Sequence, residues 1–339
     1  MLALFAIARS AAMNPRYNAR RRQLLAATAA AGVAAAAGAW TGTARAQGQP
    51  TPLRIGYQKS STLMILLKSR QTLEKALAPK GVAVQWYEFT SGLPLLEALN
   101  LGNLDLSADV ADAVPPFALA AGADLTYYAS ETPSPQAQAI VVRGDSPIRE
   151  VAQLKGQRVA FAKGAGAHYL VLEALARAGL SIRDIDPVYL SPADARAAFE
   201  RGSVAAWAIW DPFLAAVQRQ ANARVLRDGD GLASYRRFYL AATPYARAHA
   251  EVLNVVFDAL RDAGEWVKRN PAEAARWHAP LIGLDAATVE AANARRSYAV
   301  RTVDGAALAE QQRIADAFTA QQILPRKVAI SGSPVWRKA

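Results

Sequence analysis

Three stretches of this chain put small or hydrogen-bonding residues where an apolar run gives way to a helical pattern. They are Gln58-Lys59-Ser60-Ser61-Thr62, Asp109-Val110-Ala111-Asp112 and Lys163-Gly164-Ala165-Gly166-Ala167-His168. The first turn of a helix has N–H groups without intrahelical partners and carries the positive end of the helix dipole, so each junction can cradle an anion. Capping alone also explains Ser, Thr, Asp or Gly at any one helix start. Binding therefore needs two such starts facing each other beyond the carboxyl ends of strands. A fourth segment, Ala206-Trp207-Ala208-Ile209-Trp210-Asp211-Pro212, ends an apolar run in an aromatic ring and a carboxylate. Trp210 can wall a pocket, and Asp211 can either contact a ligand or cap the helix that Pro212 opens.

Other chemistry is excluded by what the chain lacks. Lys163-Gly164-Ala165-Gly166 has neither the G-x-x-x-x-G-K-[ST] spacing of a phosphate loop nor the G-x-G-x-x-G of a dinucleotide site. The three histidines, His168, His249 and His278, stand in unrelated surroundings, and no His or carboxylate cluster has metal-ligand spacing, so no metal or other cofactor is expected. There is no cysteine, hence no disulfide, no thiol nucleophile and no lipid-anchoring Cys.

The elements that would position these junctions follow from hydrophobic spacing. Leu53–Tyr57, Val82–Tyr87 and Leu104–Ala108 read as strands, with helices over Ser61–Leu77, Leu93–Leu99 and Ala113–Ala121. A second unit alternates in the same way: strands at Val159–Phe161, Val188–Leu190 and Ala206–Ile209, and helices at Tyr169–Ala178 and Ala193–Glu200. Ala139–Val142 and Phe238–Ala242 are extended segments bracketing this unit, and Tyr245–Phe318 is almost wholly helical. The expectation is an α/β protein of two lobes, each a sheet flanked by helices, in which the bracketing segments are either a double crossover or edge strands of one sheet.

Residues 1–46 hold six arginines and no acidic residue, an uncharged Ala-rich run over Leu24–Trp40, and Ala44-Arg45-Ala46 at a cleavage position. This reads as an export signal; Arg21-Arg22-Gln23-Leu24-Leu25 fits the twin-arginine form, with a Sec signal or a membrane anchor as alternatives and Met13 as an alternative start. Removing the segment takes the chain from 339 to 293 residues and its formal charge from +11 to +5. The remainder has no dense basic run with interleaved aromatics, which argues against nucleic acid as a partner.

Read together, Leu53–Lys59, Leu96–Asn100, Ala120–Leu125, Ser191–Phe199 and Ala208–Pro212 resemble, in order and spacing, the aliphatic-sulfonate-binding proteins of ABC importers. The resemblance covers about residues 53–328. It implies a periplasmic binding protein of the two-lobed, double-crossover type: lobe 1 from 47–139 and 243–339, lobe 2 from 140–242, and an alkanesulfonate in the cleft. It also implies a monomer that delivers its ligand to a membrane permease and an ATPase for sulfur supply. The matching ligand-proximal residues are Gln58, Ser60, Ser61, Thr62, Asp112, Gly164, Ala165, Gly166, Ala167, His168, Trp210 and Asp211. Where the family often has Gly-Ser after the Lys, this chain has Ser60-Ser61; where it has a Ser-rich turn before the His, this chain has Ala165-Gly166-Ala167. Taurine- and nitrate-binding proteins share the scaffold and remain alternatives. Desulfinases on the same scaffold use a catalytic Cys, which this chain lacks.

Overall fold

The computed structural model describes residues 51–338. The export segment read at residues 1–46 lies outside the described residues. The chain opens with β1 (Thr51–Gln58), α1 (Thr62–Ser69), α2 (Thr72–Leu77), β2 (Val82–Phe89), α3 (Gly92–Asn100), β3 (Leu106–Ala111), α4 (Val114–Ala120) and β4 (Leu125–Glu131). It continues through β5 (Gln138–Arg143), β6 (Arg158–Phe161), α5 (Gly166–Arg177), β7 (Asp186–Tyr189), α6 (Pro192–Glu200), β8 (Ala206–Trp210), α7 (Phe213–Gln220) and β9 (Ala223–Asp228). Then come β10 (Arg237–Ala242), α8 (Thr243–Ala248), α9 (Ala250–Arg269), α10 (Pro271–Ile282), α11 (Ala286–Arg295), β11 (Val300–Arg301) and α12 (Gly305–Ala320). The helical pattern expected as one element over Ser61–Leu77 is broken at Gln71, whose φ of 54° cannot continue a right-handed helix.

Two sheets result, with strand orders β11-β4-β10-β3-β1-β2 and β7-β6-β8-β5-β9. In the first, β2, β1 and β3 are parallel, and β10 returns antiparallel between β3 and β4. In the second, β7, β6 and β8 are parallel, and β5 runs antiparallel between β8 and β9. Strands covered on both faces need apolar residues throughout. β8, Ala-Trp-Ala-Ile-Trp, is buried at every position. β3 is also wholly buried although it carries Ser107 and Asp109, so Asp109 must find charged partners.

The chain passes from the first sheet to the second through residues 132–137 and back through 229–236. Ala139–Val142 and Phe238–Ala242 are therefore not the connections themselves. Each is a strand paired on both sides, because a strand flanked by two neighbours places all its backbone groups in ladders. The true crossings are rich in Pro and Gly, and they hold each other: Ser134 N–H donates to Ser234 O at 2.9 Å and Gly229 N–H to Pro135 O at 3.2 Å. No helix among the described residues is long and apolar enough to cross a membrane.

Candidate functional site

A cleft of about 270 Å³ opens where the parallel strands of both sheets end. Gln58, the last residue of β1, with Lys59 and Ser60 that follow it, and Glu88, Phe89 and Thr90, at the end of β2, line one side. Ser191, Pro192 and Ala193, at the start of α6, face them with Trp210 and Phe213. Two helix starts thus meet across the cleft, those of α1 and α6. At α6, Ser191 is the N-cap and accepts from Asp194 N–H at 3.3 Å. At α1, no side chain caps the first turn: the Ser61 hydroxyl accepts from Gln58 N–H at 3.2 Å instead, and Ser61 N–H donates to Gln58 O at 2.9 Å. The first-turn amides of α1 are free to donate to a ligand. Trp210 and Phe213 meet edge to face at 6.2 Å and, with Phe89 and Pro192, form the apolar wall.

Directly behind Ser60 lies a buried charge network. Arg237 pairs with Asp109 at 2.7 Å; Arg296 pairs with Asp109 at 3.1 Å and with Glu131 at 2.7 Å, and Tyr239 donates to Glu131 at 2.8 Å. Two arginines and two carboxylates cancel, which is what allows four charges in an interior. Both arginines end on Ser60: Arg237 reaches its hydroxyl at 3.4 Å and Arg296 its carbonyl at 3.3 Å.

Among the residues marked in the sequence, Gln58, Ser60 and Trp210 come together in the cleft lining. Ser61 and Thr62 are buried just behind it, Thr62 with its hydroxyl 2.9 Å from that of Tyr298. Asp211 stands next to Trp210, but its carboxylate takes two bonds from Arg295, at 2.7 and 2.8 Å, and one from Ala215 N–H at 3.1 Å. Burial pushes its pKa up to about 6 against the pull of Arg295. Asp112 lies away from the cleft lining and anchors the return crossing, accepting from Ser234 Oγ at 3.1 Å and Arg236 N–H at 3.0 Å. Burial, reinforced by Glu310, lifts its pKa to about 7.

Gly164, Ala165, Gly166, Ala167 and His168 also lie outside the cleft lining. A Cβ on Gly166 would stand 2.7 Å from the Tyr235 ring and 3.0 Å from Ala111, so the α5 start packs against the first sheet and the return crossing. His168 accepts from Gly164 N–H through Nδ1 at 3.1 Å and stacks on Phe161 at 4.8 Å. Burial, with Lys163 nearby, drops its pKa to about 3. The unfolded chain therefore takes up a proton below about pH 6.5 that the folded chain refuses, and this residue costs the protein stability as pH falls from 6.5 towards 3. The stability gap between the protein and a His168→Asn variant should narrow by about 1.4 kcal/mol per pH unit over that range. Urea midpoints at pH 7 and pH 5 measure it, and a constant gap contradicts the assignment.

Glu88, Phe89, Thr90 and Phe213 carry no signal of ligand contact in the sequence, and Ser191, Pro192 and Ala193 stand there only within the segment Ser191–Phe199 that carries the family resemblance. Ser191-Pro192 carries a readable signal, an N-cap Ser followed by Pro at the first helical position, the same strand-to-helix logic that marked Ser60. Arg237 and Arg296 gave no local signal, because their partners are 128 and 187 residues away.

Two sheets flanked by helices, joined by two crossings and enclosing a cleft at their strand ends, define the two-lobed periplasmic-binding-protein fold. The NMT1/THI5 like family model matches residues 78–274, and the chain belongs to that family. An aliphatic sulfonates-binding protein of Escherichia coli (strain K12) is 43% identical over 286 residues, 84% of this chain and 89% of that protein. The alkanesulfonate-binding protein SsuA from Xanthomonas axonopodis pv. citri, solved bound to MOPS, superposes with a TM-score of 0.79 at 42% identity, covering 84% of this chain and 98% of that one. The periplasmic aliphatic sulphonate binding protein SsuA from Escherichia coli gives 0.78 at 42% identity, over 86% and 93% of the two chains. The desulfurization enzyme DSZB, at 18% identity and a TM-score of 0.60 over 84% of this chain and 96% of its own, shares the fold alone.

Proposed function

We propose that this chain is the periplasmic solute-binding protein of an ABC importer, capturing alkanesulfonates and delivering them to a membrane permease and its ATPase for sulfur supply. The observation that carries the reading is the meeting of the α1 and α6 starts beside an apolar wall of Phe89, Pro192, Trp210 and Phe213. A sulfonate is fully ionised and weakly basic, so it needs several neutral donors rather than a proton source. Helix-start amides and hydroxyls supply them, and the alkyl tail gains from the aromatic wall. The high identity to the two SsuA proteins supports the same ligand class.

Taurine differs from ethanesulfonate by an ammonium group; Asp211 is already held by Arg295, and Glu88, the carboxylate in the cleft lining, is exposed and accepts from Tyr57 OH at 3.2 Å, so neither is a desolvated partner for that group. Nitrate would leave the aromatic wall unused. Catalysis has little to work with: the chain has no Cys, and His168 is neutral and buried outside the cleft lining. Export with cleavage after Ala46 follows from the acid-free basic start, and N-terminal sequencing of mature protein should begin at Gln47. Closure of the two lobes about residues 132–137 and 229–236, the two places where the chain crosses between the sheets, would seal the ligand.

Native mass spectrometry of ligand-stripped protein tests the function. One ethanesulfonate or one MOPS should bind per chain, with taurine and nitrate weaker. Preference for taurine or nitrate would overturn the ligand class, and failure of every small anion to bind would overturn the transport role.

A further inference from the structure

We propose that Arg237 is a positioning residue that holds the Ser60 hydroxyl as a hydrogen-bond donor toward the cleft, selecting head groups that only accept hydrogen bonds; this rests on the alkanesulfonate reading above. A serine hydroxyl ordinarily rotates to donate or accept as its partner requires. At Ser60 that freedom is narrowed. The residue lines the cleft and is 2% exposed, and the neighbour behind its oxygen is a guanidinium, which has donors and no acceptor. Arg237 Nη2 stands 3.4 Å from Ser60 Oγ, and a guanidinium cannot accept the hydroxyl proton, so that single proton must point elsewhere.

Arg237 cannot swing to release it. Its Nε donates to the Asp109 carboxylate at 3.0 Å, its Nη2 to the Asp109 carbonyl at 2.8 Å, and its Nη1 to Tyr235 OH at 2.7 Å. Tyr235 is itself pinned, with a left-handed φ of 51° and its ring against Gly166. Arg296 fixes the backbone of the same serine through its carbonyl. Because Asp109 and Glu131 neutralise both arginines, the network imposes direction on Ser60 without adding net positive charge to the cleft. A sulfonate presents three acceptor oxygens and no proton, which suits a fixed donor. A monoprotonated phosphonate of the same shape fits less well: turning its own O–H onto the remaining lone pair of Ser60 would leave the serine proton without a ligand acceptor.

A double-mutant cycle tests the inference. Calorimetric affinities for ethanesulfonate and ethylphosphonate are measured at pH 6 for the protein, Ser60→Ala, Arg237→Lys and the double variant. Ser60→Ala should weaken ethanesulfonate about tenfold, the loss expected for one hydrogen bond to a charged group. Arg237→Lys should weaken it severalfold when Ser60 is present and have no further effect in the Ser60→Ala background. Both single variants should also lose selectivity against the phosphonate. Equal losses from Arg237→Lys in the two backgrounds would mark a merely structural role and overturn the inference, as would no loss in either. If Arg237→Lys does not fold, Tyr235→Phe, which removes one anchor of the guanidinium, enters the same cycle with the same expectations. Failure of the unaltered protein to bind any sulfonate overturns the proposed function and this inference together, whereas sulfonate binding with an additive cycle overturns this inference alone.

Discussion

Replacing Arg296 by methionine should cost about 3–5 kcal/mol of folding stability, the range for removing one partner of a buried ion pair. Arg296 is 3% exposed and joins β3, β4 and the α1 start through Asp109, Glu131 and the Ser60 carbonyl. Without it, Glu131 keeps only the Tyr239 hydroxyl as a partner, and Asp109 keeps only Arg237. One of two buried carboxylates is then uncompensated in a low dielectric. Arg295→Met is the contrast: Asp211 is only 3% exposed, but the Arg295 side chain is 22% exposed, so the space it vacates opens to solvent, water can reach Asp211 and the loss should be smaller. Urea denaturation of both variants measures the difference. A loss for Arg296→Met no greater than that for Arg295→Met would show that the network does not carry the charge balance described.

The second large effect is on binding. Trp210→Ala should weaken ethanesulfonate about thirtyfold, because an indole walling a desolvated pocket is the kind of contact whose truncation costs about 2 kcal/mol or more. The loss should grow along the series methanesulfonate, ethanesulfonate, butanesulfonate, since only the tail meets the ring. That dependence separates a lost wall from general damage to the fold, which would weaken all three alike. Calorimetric titration of the series reads it directly.

How far the sequence foretells this arrangement depends on whether an element's partners are close in the chain. β8 is legible because Ala206–Trp210 is apolar throughout, as a strand covered on both faces must be. β9, Ala223–Asp228, is half-buried at every position and has no alternation to read. The junction at Ser60 is legible from its residue types. That it is opposed by α6 rather than α5 is not, because the choice follows from the sheet order and from Tyr235 packing over Gly166. Asp112 illustrates the ambiguity of a helix-start carboxylate: its type suggests a ligand contact, and its position makes it the anchor of the return crossing. Arg237 and Arg296 look like ordinary surface charges in Tyr235-Arg236-Arg237 and Arg295-Arg296-Ser297 until the fold buries them against a strand from the far end of the chain.

An alkanesulfonate held in this cleft should have its head at the α1 and α6 starts and its tail on the Trp210 wall. A crystal structure with 2-bromoethanesulfonate, phased on the bromine anomalous signal, tests it most directly. One bromine site per chain is expected against Trp210, Phe213 and Phe89, with the sulfonate oxygens within hydrogen-bond distance of Ser60 and the first-turn amides of α1. Density for the sulfonate at the α5 start near Gly166, or a bromine site outside the cleft, would contradict it.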